Sequence, residues 1–227
     1  MHFEKNVINM NKVFSEGSFY GKRFNKINKI VDVTKSNIMN KIKTTFSDAK
    51  ETDISYLYLT SHGGPNGLLA IGTDSYIYAS ELRKFIDENV KGKVVIFVQS
   101  CHSGSFIQKS ADFDDSYEQW ALEFVSYFKD YNARSGEFAT PKYSVICSAA
   151  KDEFSYGVWN GSVATKKWAL GMGWNVDEEK IVEMEADADR NNKVTLNELY
   201  SYSYLGVTDS HIVAYPSDSK FVIYGKY

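Results

Sequence analysis

Val94-Val95-Ile96-Phe97-Val98-Gln99-Ser100-Cys101-His102-Ser103-Gly104 is the stretch on which the fold turns. Its first five residues are apolar without a break and are β-branched or aromatic. A short run of that kind suits a strand covered on both faces, as in a parallel sheet. It stops in small and polar residues, so a turn carrying Cys101 follows the strand's carboxyl end. Upstream, Ile54–Thr60 (ISYLYLT) has the same character and stops at Ser61-His62-Gly63-Gly64. Downstream, Tyr143–Cys147 is a third strand of this type and runs into a polar turn at residues 150–153.

Helical patterns lie around these strands. Ile38, Ile42 and Phe46 recur every four residues behind a cap at Thr34 or Ser36. Leu82, Phe85 and Ile86 follow Ser80 as a cap; Trp120, Phe124 and Tyr127 or Phe128 share a face in residues 117–131; residues 163–170 read as a further helix. Residues 68–71 and 76–78 flank Gly72-Thr73-Asp74 as a hairpin, and residues 221–224 form a last strand. Strands alternating with helices imply an α/β sandwich with a mostly parallel central sheet. Residues 1–33 are basic and polar, with Gly17 and Gly21 as breakers, and read as an irregular lead-in to one domain over 34–227.

Composition narrows the class. The chain has 227 residues, 43% hydrophobic and 15% aromatic, which supplies a buried core, and only three prolines. A net charge of −3 with the signs mixed leaves no electrostatic footprint for nucleic acid or an anionic membrane. Two cysteines, Cys101 and Cys147, make no disulfide framework. No apolar run approaches a membrane span, and the first twelve residues lack the apolar centre of a signal peptide, so a soluble chain of undetermined compartment is expected.

In such sheets, ligands gather beyond the carboxyl ends of the strands. One strand end delivers His62 and the next delivers Cys101, and a right-handed crossover sets consecutive parallel strands side by side. A thiol becomes a strong nucleophile as thiolate, which a nearby imidazole favours. Glycines at 63, 64 and 104 let backbone N–H groups approach a substrate carbonyl. The same residues also suit a small buried cysteine and an ordinary His-Gly loop. Cys147, inside an apolar strand, reads as an inert core thiol; His102, His2 and His211 read as non-catalytic, the last two as surface residues.

The two strand ends, Leu57-Tyr58-Leu59-Thr60-Ser61-His62-Gly63 and Phe97-Val98-Gln99-Ser100-Cys101-His102-Ser103-Gly104, resemble those of the caspase–legumain–clostripain group (clan CD) of cysteine peptidases. The resemblance covers about residues 36–205. It implies a caspase-like α/β/α sandwich, with His62 as general base and acid, Cys101 as nucleophile, and the N–H groups of Gly63 and Cys101 as the oxyanion site. In that group the residue two before the nucleophile lines the primary specificity pocket. Here it is Gln99, so the carboxylate that would hold a basic side chain is missing from that position. Glu153-Phe154-Ser155-Tyr156 is similar to the legumain Glu-Ser-Ser-Tyr segment, which makes Ser155 a second pocket candidate. Asp152 or Glu153 could supply a charge, or stand as solvated turn residues. The resulting expectation is a peptide or protein substrate with Lys, Arg or Asn before the cut.

Residues 187–198 match the twelve-residue EF-hand calcium loop. Asp187, Asp189 and Asn191 fill positions one, three and five; Lys193 offers its carbonyl at seven; Thr195 sits at nine and Glu198 at twelve. Asn192 replaces the usual glycine, and asparagine is the next best residue for a left-handed conformation. An acidic turn capping the helix near Thr195 is the plainer alternative. Many relatives are zymogens cut after the nucleophile, here within about residues 109–141, where Lys109, Lys129 and Arg134 are basic sites. The family's opening strand is not recognisable in 1–33, so a free sheet edge and a dimer are possible. Composition and the merged calcium loop suggest a bacterial origin. The competing functions are a catalytically silent calcium- or partner-binding scaffold and a peptide ligase of the same chemistry.

Overall fold

The computed structural model describes residues 2–15, 24–31, 33–72, 75–108 and 136–225. In chain order come helix α1 (His2–Ser15), α2 (Lys35–Thr45), β1 (Ile54–Thr60), the short β2 (Gly63–Gly64), β3 (Leu68–Ile71), β4 (Ser75–Tyr78), α3 (Ala79–Asn89) and β5 (Lys93–Gln99). A 3-10 turn over Ser103–Phe106 precedes β6 (Tyr143–Cys147). There follow β7 (Gly157–Val158), β8 (Gly161–Ser162), α4 (Val163–Gly171), β9 (Trp174–Asn175), β10 (Lys180–Ile181), β11 (Lys193–Thr195), α5 (Leu196–Gly206), β12 (Val213–Tyr215) and β13 (Val222–Gly225).

The central sheet has the order β1-β5-β6-β12. Strand β5 runs parallel to both β1 and β6, and only the edge strand β12 is antiparallel. The unbroken apolar run of β5 is explained by its two covered faces. Side chains alternate across a strand, and Val95 and Phe97 enter a core with Trp168, Leu199 and Ile223. Val94, Ile96 and Val98 enter a second core with Leu82, Ile86 and Ile42. Helices α1, α4 and α5 therefore cover one face, and α2 and α3 the other, giving the expected α/β/α sandwich with a mostly parallel sheet. The β3–β4 hairpin lies with α2 and α3 through Leu69, Ile71 and Ile77.

Most local expectations match. Thr34, rather than Ser36, caps α2, its side chain accepting the Asn37 N–H at 3.2 Å. Helix α3 begins one residue before Ser80, at Ala79, with Tyr78 in the capping position and no side-chain cap. The last strand pairs antiparallel with β11 in a separate two-stranded sheet. The helix expected over 117–131 and the basic sites Lys109, Lys129 and Arg134 lie outside the described residues.

The lead-in needs correction. Residues 2–15 are not irregular: they form α1, whose Met10 (1% exposed) and Val13 (0%) sit in the core. Phe3, Val7, Met10 and Phe14 are spaced for one helix face. The intervening asparagines and lysines hide that spacing when composition is weighed first. Two of the asparagines are anchors, because Asn6 donates to Thr60 Oγ1 at 3.1 Å and accepts the Ser162 N–H at 2.6 Å. Asn9 donates to Asn160 O at 3.0 Å. Tyr224 closes the seam by donating its hydroxyl to Val13 O at 2.9 Å.

Because α1 supplies core rather than trailing from it, Met10→Ala is expected to destabilise the fold by about 2–5 kcal/mol, the cost of a buried cavity. Urea unfolding followed by circular dichroism measures this; a change under about 0.5 kcal/mol would mean α1 is dispensable.

Candidate active site

The parallel register of β1 and β5 builds the site. Thr60 stands opposite Gln99, the last pair of the ladder, and Ser61 N–H still donates to Gln99 O at 3.2 Å. His62 and Cys101 each lie two residues beyond that pair, so they occupy facing turns at one edge of the sheet. The His62 turn is held by the hairpin: Ala70 N–H donates to His62 O at 2.9 Å, and Gly63 pairs with Leu69. Gly63 is pressed against the Cys101 turn. A Cβ there would meet Cys101 O at 2.1 Å and Ser100 Oγ at 2.6 Å, so only glycine fits. The two expected oxyanion residues are thus neighbours. The exposed His62 ring meets the edge of Phe3 at 4.9 Å between centroids.

The Cys101 turn is tied to β6 by serines. Ser148 Oγ accepts the Ser100 N–H at 3.2 Å and lies 3.2 Å from Ser100 O. Ser103 Oγ accepts the Ala149 N–H at 3.0 Å. His102 takes a left-handed conformation (φ 55°), which swings its ring to Lys151 O (3.0 Å from Nδ1) and to the edge of Phe154. It therefore faces away from its neighbour's chemistry, as expected. Cys101 is half-buried, and its Sγ accepts the Ser155 N–H at 3.4 Å. His62 and Cys101 make no hydrogen bond to each other among the described contacts.

Two of the four pocket candidates meet at the nucleophile. Gln99, 4% exposed, donates from Nε2 to Ser155 Oγ at 2.8 Å, and its buried Oε1 has no partner among the described residues. Asp152 is exposed on the turn. Glu153 is turned to other partners. Its Oε2 accepts N–H bonds from Ala150 (3.2 Å) and His211 (2.8 Å), and Oε1 pairs with the His211 ring. Burial works against the charged carboxylate, but the His211 backbone and ring and the Ala150 N–H outweigh it and hold its pKa below the ordinary range. His211 is exposed, as expected, yet engaged.

The acidic loop folds as its spacing implies. Carboxylate oxygens of Asp187, Asp189 and Glu198 all lie within 4.8 Å of one another. Asp187 accepts N–H bonds from Asn191 (3.0 Å) and Asn192 (2.8 Å), and Asn191 Oδ1 accepts the Lys193 N–H at 2.8 Å. Asn192 adopts φ 62°, the conformation that the usual glycine provides. Lys193 and Thr195 bound β11, and Glu198 forms a capping box with Thr195 at the start of α5. The three carboxylates converge, and Glu198 at the same time caps α5.

Part of the chain resembles known proteins. The model of the Peptidase C13 family matches residues 11–117, which include His62 and Cys101. Vacuolar-processing enzyme beta-isozyme 1 of Oryza sativa subsp. indica is 35% identical over 65 residues, 27% of this chain and 13% of the relative. The enzyme of the same name from subsp. japonica gives the same figures. The match thus spans only 13% of the length of those curated relatives. Among solved structures, caspase-1 from Spodoptera frugiperda superposes with a TM-score of 0.59 at 14% identity, over 98% of this chain and 81% of that one. Protein GSU0716 from Geobacter sulfurreducens superposes at 0.57 and 14% identity, over 92% and 82%. The fold is caspase-like. The part of the chain that carries His62 and Cys101 is thus similar to the Peptidase C13 family.

Sequence reasoning missed Phe3, Ser148 and the partnership of His211 with Glu153. Ser148 was within reach, since it directly follows the third core strand, at the same sheet edge as Cys101. The His211 contact, 58 residues distant from Glu153, carries no local signal.

The two thiols should separate cleanly. Burial drives the Cys147 pKa far up, and Cys147 is 0% exposed, so it is inert while folded. Iodoacetamide under native conditions is expected to modify one thiol per chain, at Cys101, and both after denaturation. Peptide mapping by mass spectrometry checks this, and native modification of Cys147 would contradict the buried strand.

Proposed function

We propose that this chain is a cysteine endopeptidase working with a His62–Cys101 dyad. The observation that carries the reading is the in-register β1–β5 pair, whose facing turns present imidazole and thiol with Gly63 flush against Cys101. His62 takes the thiol proton, and Cys101 Sγ adds to the scissile carbonyl carbon. The oxygen, now negative, is held by the N–H groups of Gly63 and Cys101. His62 returns the proton to the departing amine, leaving a thioester. Water, deprotonated by His62, then adds to the thioester carbonyl, and the acid leaves as the thiol is restored. Cys101 Sγ accepts the Ser155 N–H and stands 3.8 Å from Ser155 O, so residue 155 holds the sulfur in place.

The side chain before the cut would meet Gln99 and Ser155, a floor without formal charge. With Glu153 committed to His211, a neutral hydrogen-bonding side chain such as Asn suits this floor better than Lys or Arg. Asp152, exposed on the turn, is the remaining source of charge for a basic side chain.

We further infer that residues 187–198 bind Ca²⁺ through Asp187, Asp189, Asn191, the Lys193 carbonyl and Glu198. The convergent carboxylates and the left-handed Asn192 support this. A hard cation needs such an oxygen cluster, and it would relieve the repulsion among three acids in one small volume.

Acyloxymethyl-ketone peptides varied at the residue before the warhead test the first reading. Cys101→Ala should abolish labelling, and His62→Ala should slow it about a thousandfold. Asn probes should outpace Lys and Arg probes, and faster labelling by basic probes would overturn the neutral pocket. A folded wild type that takes no probe would sink the dyad reading.

Isothermal titration with CaCl₂ tests the second. We expect one site, with Kd between about 10⁻⁵ and 10⁻³ M, and a melting temperature that rises with calcium and not with equimolar magnesium. Asp189→Asn should weaken binding about tenfold or more. Heatless titration without a thermal shift would show that the loop is only a helix cap.

A further inference from the structure

Glu153 touches three segments at once. Its carboxylate accepts from Ala150 N–H and from the backbone and ring of His211. Its carbonyl accepts the His102 N–H at 2.7 Å, one residue past the nucleophile. Next to His211, Ser210 donates its hydroxyl to Ser148 O at 2.7 Å, a buried bond to the serine that fixes Ser100. The segment between α5 and β12 is thereby fastened to the nucleophile turn and to residues 150–156 together. Two residues after Glu153, Ser155 meets both Cys101 Sγ and Gln99.

We propose that Glu153 and His211 are positioning residues that hold Ser155 in the specificity pocket and touch no substrate themselves; this rests on the cysteine-peptidase reading of the site. Residues 151–156 have no strand or helix to order them, and Phe154 (63% exposed) and Tyr156 (50%) lend little packing. An unbraced segment of that kind opens locally at small cost, and substrate would have to order it on binding. An exposed ion pair alone would brace it weakly. Here one carboxylate oxygen also takes two backbone N–H groups, which have no side-chain freedom to lose. The carboxylate is therefore the stronger half of the brace and the His211 ring the weaker. The role is distinct from a charge that binds a basic substrate residue, since the carboxylate oxygens are turned to Ala150 and His211.

The two roles predict opposite behaviour for Glu153→Gln. A glutamine keeps one oxygen for both backbone donors, so it should recover most of the labelling that Glu153→Ala loses. It should do so for all probes alike. We expect Glu153→Ala to weaken probe affinity about tenfold with little change in the limiting rate of inactivation, and His211→Ala about threefold in the same sense. The double variant Glu153→Ala/His211→Ala should be no weaker than Glu153→Ala, as for residues acting through one contact. Hydrogen exchange gives a readout independent of catalysis: peptides covering residues 150–156 should exchange faster in both alanine variants, while β6 stays protected. Loss of basic probes alone in Glu153→Gln would make Glu153 a substrate ligand and overturn the proposal, as would unchanged exchange in both alanine variants. If exchange responds as expected but no probe labels the wild type, the peptidase reading fails and the brace stands.

Discussion

The parallel pairing of β1 with β5 is the constraint on which the site depends. Side chains alternate along a strand, so a slip of one residue would turn every β5 side chain to the opposite face. Val95 and Phe97 would leave the α1–α4–α5 core, and Val94, Ile96 and Val98 would enter it. Both faces of β5 are closed by helices, which makes such a slip prohibitive. Because the ladder ends at Thr60 opposite Gln99, the same packing fixes which residues begin the two turns. Placement of His62 beside the Cys101 turn is thus a consequence of hydrophobic alternation in the core.

At the turns the molecule accepts local costs. Ser100 Oγ and Gln99 Oε1 are buried without partners among the described residues, and each such group costs about 1–3 kcal/mol. His102 is held left-handed, at a further cost of about 1–3 kcal/mol for a residue without glycine's freedom. These features adjoin Cys101 and are absorbed by the core and by the Ser148 and Ser103 bonds that over-determine the turn.

What the sequence disclosed follows the range of the interactions. Three core strands were legible to the residue or nearly so, because burial on both faces leaves an unmistakable apolar run. The acidic loop was legible because its convergent carboxylates sit within twelve residues. His62 and Cys101 were legible through the strand-end rule. Helix α1 was obscured, since its core face is thin and its polar residues Asn6 and Asn9 are buried anchors rather than solvent-facing ones. The fate of Glu153 was not legible, because its partner arrives from a segment beyond α5. A carboxylate near a pocket looks the same in sequence whether it faces a substrate or a distant histidine.

Helix α5 joins the acidic loop to that distant segment, and its packing bears on what a bound cation could do. Eleven residues make a rod about 16 Å long, beginning in the loop and ending just before Val207. Leu196, Leu199 and Ser203 are fully buried, whereas Leu205 near the far end is 82% exposed, so the rod is seated in the core from its start through Ser203. For occupancy of the loop to reach Ser210 and His211, the helix would have to move as a body and repack Trp168 and Ile223. Close-packed cores shift between discrete arrangements and resist small slides. Calcium at the loop is therefore expected to stabilise the N-terminal end of α5, leaving the Glu153 brace and the pocket as they stand.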